Sequence, residues 1–203
     1  MSVKERRKRE EKGRLRAILR AAERVFAKRG YVEARMDDIA TTAELSKGTL
    51  YYYFQSKEEI FLELLKRETG KVHDEIRRRV SDDSSFSEAL ERTLGFYLEY
   101  FEKNRGFLRM FLPCMCQFVH FEGGRALEKS TRSYDEHGEF VRTMLKKKIS
   151  REGLAFKPEN LEKFIKTLQV GIGIKLLEGQ KTEAEAAVRF FLDLIRNVME
   201  DAT

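Results

Sequence analysis

Apolar residues recur every three or four positions along almost the whole chain, and nowhere do they alternate in the two-residue rhythm of a strand. Leu15, Ile18, Leu19, Ala22, Val25 and Phe26 stripe a first long helix that Gly30 is placed to cap. Ile39, Ala40 and Ala43 then predict a short helix, and Leu50 with Phe54 a second. Ser56 and Glu59 form a capping box for a long helix to about Val80, which buries Ile60, Phe61, Leu64 and Leu65. Ser81-Asp82-Asp83-Ser84 reads as a turn. Further helices are predicted from Ser85 to about Glu102, from Asn104 to about Glu122 with an interruption at Pro113, and over 125–150. Two more follow, from Pro158 to about Glu178 and, capped by Thr182 and Glu185, to about Asp201. With only two prolines, the expectation is an all-α protein of about nine helices. Its divisions would be a basic disordered arm over 1–13, a helix-turn-helix DNA-binding domain over 14–55, and a larger helical ligand-binding and dimerisation domain over 56–203.

The two short helices carry the strongest chemical signal. Ser46 sits at an N-cap position. On a wheel anchored at Leu50, Gly48 and Tyr52 point away from the core, flanked by Lys47, Thr49, Tyr51 and Tyr53. A helical glycine costs about 1 kcal/mol against alanine, so packing alone gives it no reason to be there, whereas close approach to another molecule does. Lys47 and Thr49 can reach base edges, and tyrosine hydroxyls can hydrogen-bond phosphate oxygens. Lys57 opposes the dipole of the helix it begins, a misplacement that a nearby phosphate would repay.

Ala21-Ala22-Glu23, Phe26-Ala27, Gly30-Tyr31, Ile39-Ala40, Ser46 through Phe54 and Ser56-Lys57 resemble the tetracycline-repressor (TetR) family of bacterial regulators. The resemblance is specific over about residues 14–65. It implies that Lys47, Gly48, Thr49 and Tyr53 face bases and that Tyr51, Tyr52 and Lys57 hold phosphates. The chain departs from the family pattern at Arg35-Met36, where a capping threonine is usual, and Arg35 cannot cap. Asp37 and Asp38 read as partners for a helix N-terminus.

The second half is rich in Phe, Tyr and Met between residues 94 and 120. Tyr97, Phe101, Met110, Phe111, Met115, Phe118, Tyr134, His137 and Ile172 are candidates for lining an apolar ligand pocket, with Gln117 and His120 as further polar handles. Plain core packing is the alternative. The last two helices each carry two apolar stripes, and Leu168, Ile172, Phe191, Leu194, Ile195 and Val198 are candidates for a four-helix homodimer interface. Gly171 and Gly173 would permit close helix approach.

Charge sharpens the picture at one place. Residues 1–20 hold nine basic and three acidic residues, which accounts for the whole net charge of +6. A basic arm ahead of a helix-turn-helix suggests added phosphate or minor-groove contact. Two cysteines exclude a disulfide scaffold. Cys116 and His120 share a helix face, but Cys114 points elsewhere, so no metal site or cofactor is expected. The sequence offers no catalytic trio and no phosphate-cradling loop, so an enzyme is not expected. Without an apolar spanning run or a signal-peptide core, the expected location is the cytoplasm, on the nucleoid. The reading is therefore a ligand-responsive transcriptional regulator, a repressor on family grounds, with double-stranded DNA, a small apolar ligand and a second copy of itself as partners. A chromosome-organising or protein-interaction factor of the same fold, without an inducer, is the alternative.

Overall fold

A computed structural model describes residues 2–115 and 125–200, with side chains described outside 113–134. The described residues are helical throughout: α1 (Val3–Glu33), α2 (Met36–Thr42), α3 (Lys47–Tyr53), α4 (Lys57–Arg79), α5 (Phe86–Lys103), α6 (Arg105–Met115), α7 (Arg125–Glu152), α8 (Pro158–Leu177) and α9 (Lys181–Glu200). The all-α expectation holds. The expected capping residues explain several starts. Ser46 accepts from the Thr49 amide, Ser56 from the Glu59 amide, and Ser85 forms a full capping box with Glu88. The box expected at Ser56 is only half formed, because the Glu59 carboxylate turns to the Gln55 amide instead, at 2.7 Å. Thr182 lies inside the first turn of α9 rather than ahead of it.

One expectation is corrected at the N-terminus. Residues 3–13 are the opening turns of α1, launched by a capping box between Ser2 and Glu5, rather than a disordered arm. Once a helix is nucleated and anchored by buried residues further on, each added residue costs little. The helical path of α1 is broken at Gly30, whose φ of 75° is open to glycine. Arg35 stands at the N-cap of α2 without a side-chain hydrogen bond, as its chemistry dictates.

The first three helices and the start of α4 enclose one core. Ile18, Leu19, Ala22 and Phe26 of α1 meet Ile39, Leu50, Ile60, Phe61 and Leu64. Phe26 and Phe61 pack edge to face with ring centres 5.7 Å apart, and Tyr31 lies 4.8 Å from Phe61. Helix α4 then leaves this head and packs along α7, while α5 to α9 build the larger half. The halves also meet at α1 and α6, where a Cβ placed on Gly106 would lie 3.3 Å from the Ala27 Cβ. Gly173 has a comparable role between α8 and α6, beneath Leu108 and Leu112. Gly171, by contrast, lies on an exposed face.

The turn between α4 and α5 is fastened by a buried cation. Lys148 of α7 donates to the carbonyls of Ser81, Asp82 and Ser84 at 2.9, 3.2 and 2.8 Å, and Arg151 reaches the last two. Burial lowers the Lys148 pKa, and the three carbonyl oxygens are what keep the ammonium satisfied. Lys148→Met should keep the volume but strand the Ser81 carbonyl and leave those of Asp82 and Ser84 to Arg151 alone, lowering stability by about 1–3 kcal/mol. The same change at exposed Lys147 should be near neutral, as a comparison of denaturant midpoints will read.

Candidate nucleic-acid interface and effector cavity

The turn between α2 and α3 is closed by backbone hydrogen bonds from Glu44 to Thr41 and from Leu45 to Ala40, with Glu44 in the left-handed region at φ 57°. The turn seats Leu50 wholly in the core. Because α3 is anchored on that one side, Lys47, Gly48, Tyr51 and Tyr52 are all exposed, Tyr52 by 75%. Thr49 is half-buried, with its hydroxyl 2.8 Å from the Ser46 hydroxyl and its amide donating to the same oxygen. Tyr53 is also half-buried and packs against the core, with its ring edge to face with Tyr52. Gly48 has nothing closer to a hypothetical Cβ than the Ser46 hydroxyl at 4.0 Å, so the protein itself does not require a glycine there.

The charges around α3 are partly held in reserve. Lys47 pairs with Asp37 at 2.7 Å, and that hydrogen bond raises its pKa. Arg29 pairs with Asp38 at 2.9 Å. Exposed pairs of this kind exchange readily for a stronger anion. Lys57 is held by the end of α1. Its ammonium donates to the carbonyls of Tyr31, Val32 and Ala34 at 2.8, 2.7 and 3.1 Å and lies over the Tyr31 ring. All three of its donors are thus engaged. The carbonyls at the end of α1 offset its place at the start of α4, and the clamp fixes the two helices together.

In the larger half, Tyr97, Phe101, Phe111 and His137 come together as expected around a cavity of about 30 Å³. Thr69 and Val72 of α4, Tyr100, Phe107 and Gln169 complete its wall. Met110 and Ile172 are buried in the packed core and do not line it. The side chains of Cys114, Met115, Tyr134 and the residues 116–124, including Gln117, Phe118 and His120, lie outside the described residues. Gln169 does carry a signal in the sequence: it interrupts the stripe Ile165, Ile172, Leu176 at helical spacing, where a polar residue needs a partner. Thr69 and Val72 carry none, because nothing in the sequence says that the far end of α4 reaches this wall.

The cavity has a polar spine. His137 Nδ1 lies 3.0 Å from His73 Nε2, and its Nε2 lies 2.8 Å from the Tyr97 hydroxyl and 3.4 Å from the Gln169 amide nitrogen. His137 thus bridges His73 on one ring nitrogen and Tyr97 and Gln169 on the other. Burial, reinforced by the positive side chains of His73 and Lys166, holds the His137 pKa down at about 3. Burial and Arg77 lower that of His73. Beside the cavity, Glu68 accepts the Tyr100 hydroxyl at 2.7 Å and Lys71 at 2.6 Å. Among the described residues, no buried side-chain polar atom lacks a partner and no cluster suited to a metal ion occurs.

The candidate dimer residues divide. Leu194 and Val198 are exposed, 47% and 45%, whereas Phe191, Ile195 and Ile172 belong to the protomer's own core and Leu168 is half-buried. The other exposed apolar side chains of the last two helices are Phe190 on α9 and Phe164 and Ile174 on α8. The sequence shows two stripes on each helix without saying which one the protomer keeps.

A short helix held by one buried leucine, with small and hydroxyl-bearing residues outward, is the arrangement of a helix-turn-helix. Residues 18–64 match the model for bacterial regulatory proteins of the tetR family. It is 30% identical over 91 residues to the HTH-type transcriptional repressor NicS of Pseudomonas putida, covering 45% of this chain and 43% of NicS. It is 33% identical over 85 residues to the HTH-type transcriptional activator FasR of Mycolicibacterium smegmatis, covering 42% and 39%. The matched stretch thus spans about two fifths of either relative's length. The fold as a whole is similar to that of the transcriptional regulator FadR from Bacillus subtilis in complex with stearoyl-CoA, with a TM-score of 0.73, 18% identity and coverage of 88% and 95%. No helix among the described residues is long and apolar enough to cross a membrane.

Gly48→Ala should stabilise α3 by up to about 1 kcal/mol while weakening DNA binding, a divergence that thermal melts and a binding titration on one preparation will reveal. The buried imidazole predicts a second outcome. A histidine pKa depressed by folding gives stability that is complete above the unfolded value near 6.5 and is lost as pH falls toward the folded value. Stability should therefore decline by roughly 1.4 kcal/mol per pH unit below about 6.5 on account of His137. His137→Gln should flatten that decline in denaturation curves taken from pH 7 to pH 5.

Proposed function

We propose that the protein is a homodimeric, effector-responsive repressor that binds a palindromic operator and is released by a small, largely apolar molecule. The observation that carries this reading is the outer face of α3. Gly48, Tyr51 and Tyr52 stand exposed on a helix whose other side is fully anchored, with a glycine that packing does not need. Lys47, Thr49 and Tyr53 complete the reading surface, Thr49 through a hydroxyl already oriented by Ser46. Lys57 serves this surface by fixing α1 to α4.

Two such heads need a two-fold partner, and the face formed by Phe164, Ile174, Phe190, Leu194 and Val198 is suited to a four-helix interface. The effector would enter where the 30 Å³ cavity now has room for about two waters. Its apolar body would rest among Phe101, Phe107 and Phe111, with one polar group toward His137 and Gln169. A ligand the size of the acyl chain bound by the FadR neighbour requires those walls to part. Thr69 and Val72 are on α4, so parting the walls moves the helix that carries the head. The ligand shifts the equilibrium only as far as it prefers the expanded state.

Selection from a random duplex library at two salt concentrations tests the reading. A palindromic consensus is expected, with Phe190→Glu giving a monomer that binds it at least tenfold more weakly. Salt-sensitive binding without a consensus would overturn the operator-specific reading in favour of a chromosome-organising role.

A further inference from the structure

The opening turns of α1 carry a charged ridge that the head's own packing does not use. Arg6, Arg9, Lys12, Arg16, Arg20 and Arg24 follow one another at spacings of three and four residues, so they form one row along the helix. All six are exposed. The row faces away from the stripe of Ile18, Leu19, Ala22, Val25 and Phe26 that holds α1 in the core. Among the described residues, only Arg6 of the six makes an ion pair, with Glu10 at 3.0 Å. Of the other two acids there, Glu5 is occupied by the Ser2 amide, and Glu11 makes no ion pair with the row.

From this geometry we infer that α1 is a second DNA-binding element, a rigid basic strut that lies against the phosphate backbone outside the base pairs read by α3. The inference rests on the proposed operator-binding function and adds a contact that α3 does not supply. Three features support it. Five of the six residues are arginines, whose planar fork suits phosphate oxygens. The ridge from Arg6 to Arg24 is about 27 Å long at 1.5 Å per residue, comparable to roughly eight base pairs of duplex at 3.4 Å per step. The strut is fixed to the reading head at its far end, because Lys57 holds the last carbonyls of α1 and Arg29 pairs with Asp38 of α2.

An anionic membrane offers the same phosphate chemistry but fits less well. An interfacial helix buries an apolar face, and between Val3 and Arg14 the only apolar residue is Val3 itself. The charges of this segment therefore have nothing to insert beside them. DNA requires no insertion.

The test compares the full chain with R6Q/R9Q/K12Q/R16Q, which replaces exposed residues with others of similar helix propensity. Both are titrated against the selected duplex across a salt series and mapped by hydroxyl-radical footprinting. Unchanged far-ultraviolet circular dichroism and melting temperature establish that the variant folds. The variant is expected to keep the base preference yet bind at least tenfold more weakly at moderate salt. Its log–log salt slope should flatten by about 0.9 for each phosphate that it no longer neutralises, and protection should withdraw from the outer flanks. E5Q/E10Q/E11Q should act oppositely, steepening the slope and tightening binding. If the wild-type chain selects a palindrome but both variants match its slope and footprint, the strut is overturned while the operator reading stands. If the wild-type chain selects no palindrome, it is the operator reading that fails. Loss of binding to phosphatidylglycerol vesicles, with the DNA slope unchanged, would also overturn the strut and assign the ridge to a lipid surface.

Discussion

The structure depends on α4 being buried in two places at once. Its first turns supply Ile60, Phe61, Leu64 and Leu65 to the core beneath the recognition helix, while Val72 and Ile76 belong to the core of the larger half. One continuous helix therefore cannot move at one end without consequence at the other. Lys57 tightens the arrangement by holding three carbonyls at the end of α1, so the start of α4 and the scaffold behind α3 behave as one unit. The contact of α6 with α1 at Gly106 and Ala27 gives a second, independent tie between the halves.

Seen from the cavity, α4 is both wall and lever. Thr69 and Val72 face the same small space as Tyr97, Phe101 and Phe111, and His73, one residue on, is hydrogen-bonded to His137. A close-packed interior transmits strain rather than absorbing it. Burial holds His137 in its neutral form, and its two ring nitrogens are engaged by His73 on one side and by Tyr97 and Gln169 on the other. Cavity chemistry and helix mechanics are thus properties of the same few residues.

Much of this is legible in the chain. The helical periods, the serine caps at Ser46, Ser56 and Ser85, the break at Gly30 and the outward face of α3 follow from local rules, because capping, glycine conformations and i, i+4 spacing act within a turn or two. Leu50 inside and Tyr52 outside can be assigned from the wheel alone. The aromatic wealth of residues 94–120 points to the right region for a cavity, and Tyr97, Phe101 and Phe111 meet there.

What the tertiary structure decided are matters of partnership between distant positions. Tyr31, Val32 and Ala34 present their carbonyls to Lys57, and nothing within a helical turn of residue 57 announces them. On α9, the stripe of Phe191 and Ile195 and the stripe of Leu194 and Val198 are equally apolar, and only the docking of α5 and α8 determines which is kept inside. Gln169 interrupts an apolar stripe in the sequence, and the partner that accounts for it, His137, lies 32 residues away. Local sequence fixes where helices begin, end and turn their apolar sides. Which side meets which neighbour depends on contacts that the chain makes only after it has folded back on itself.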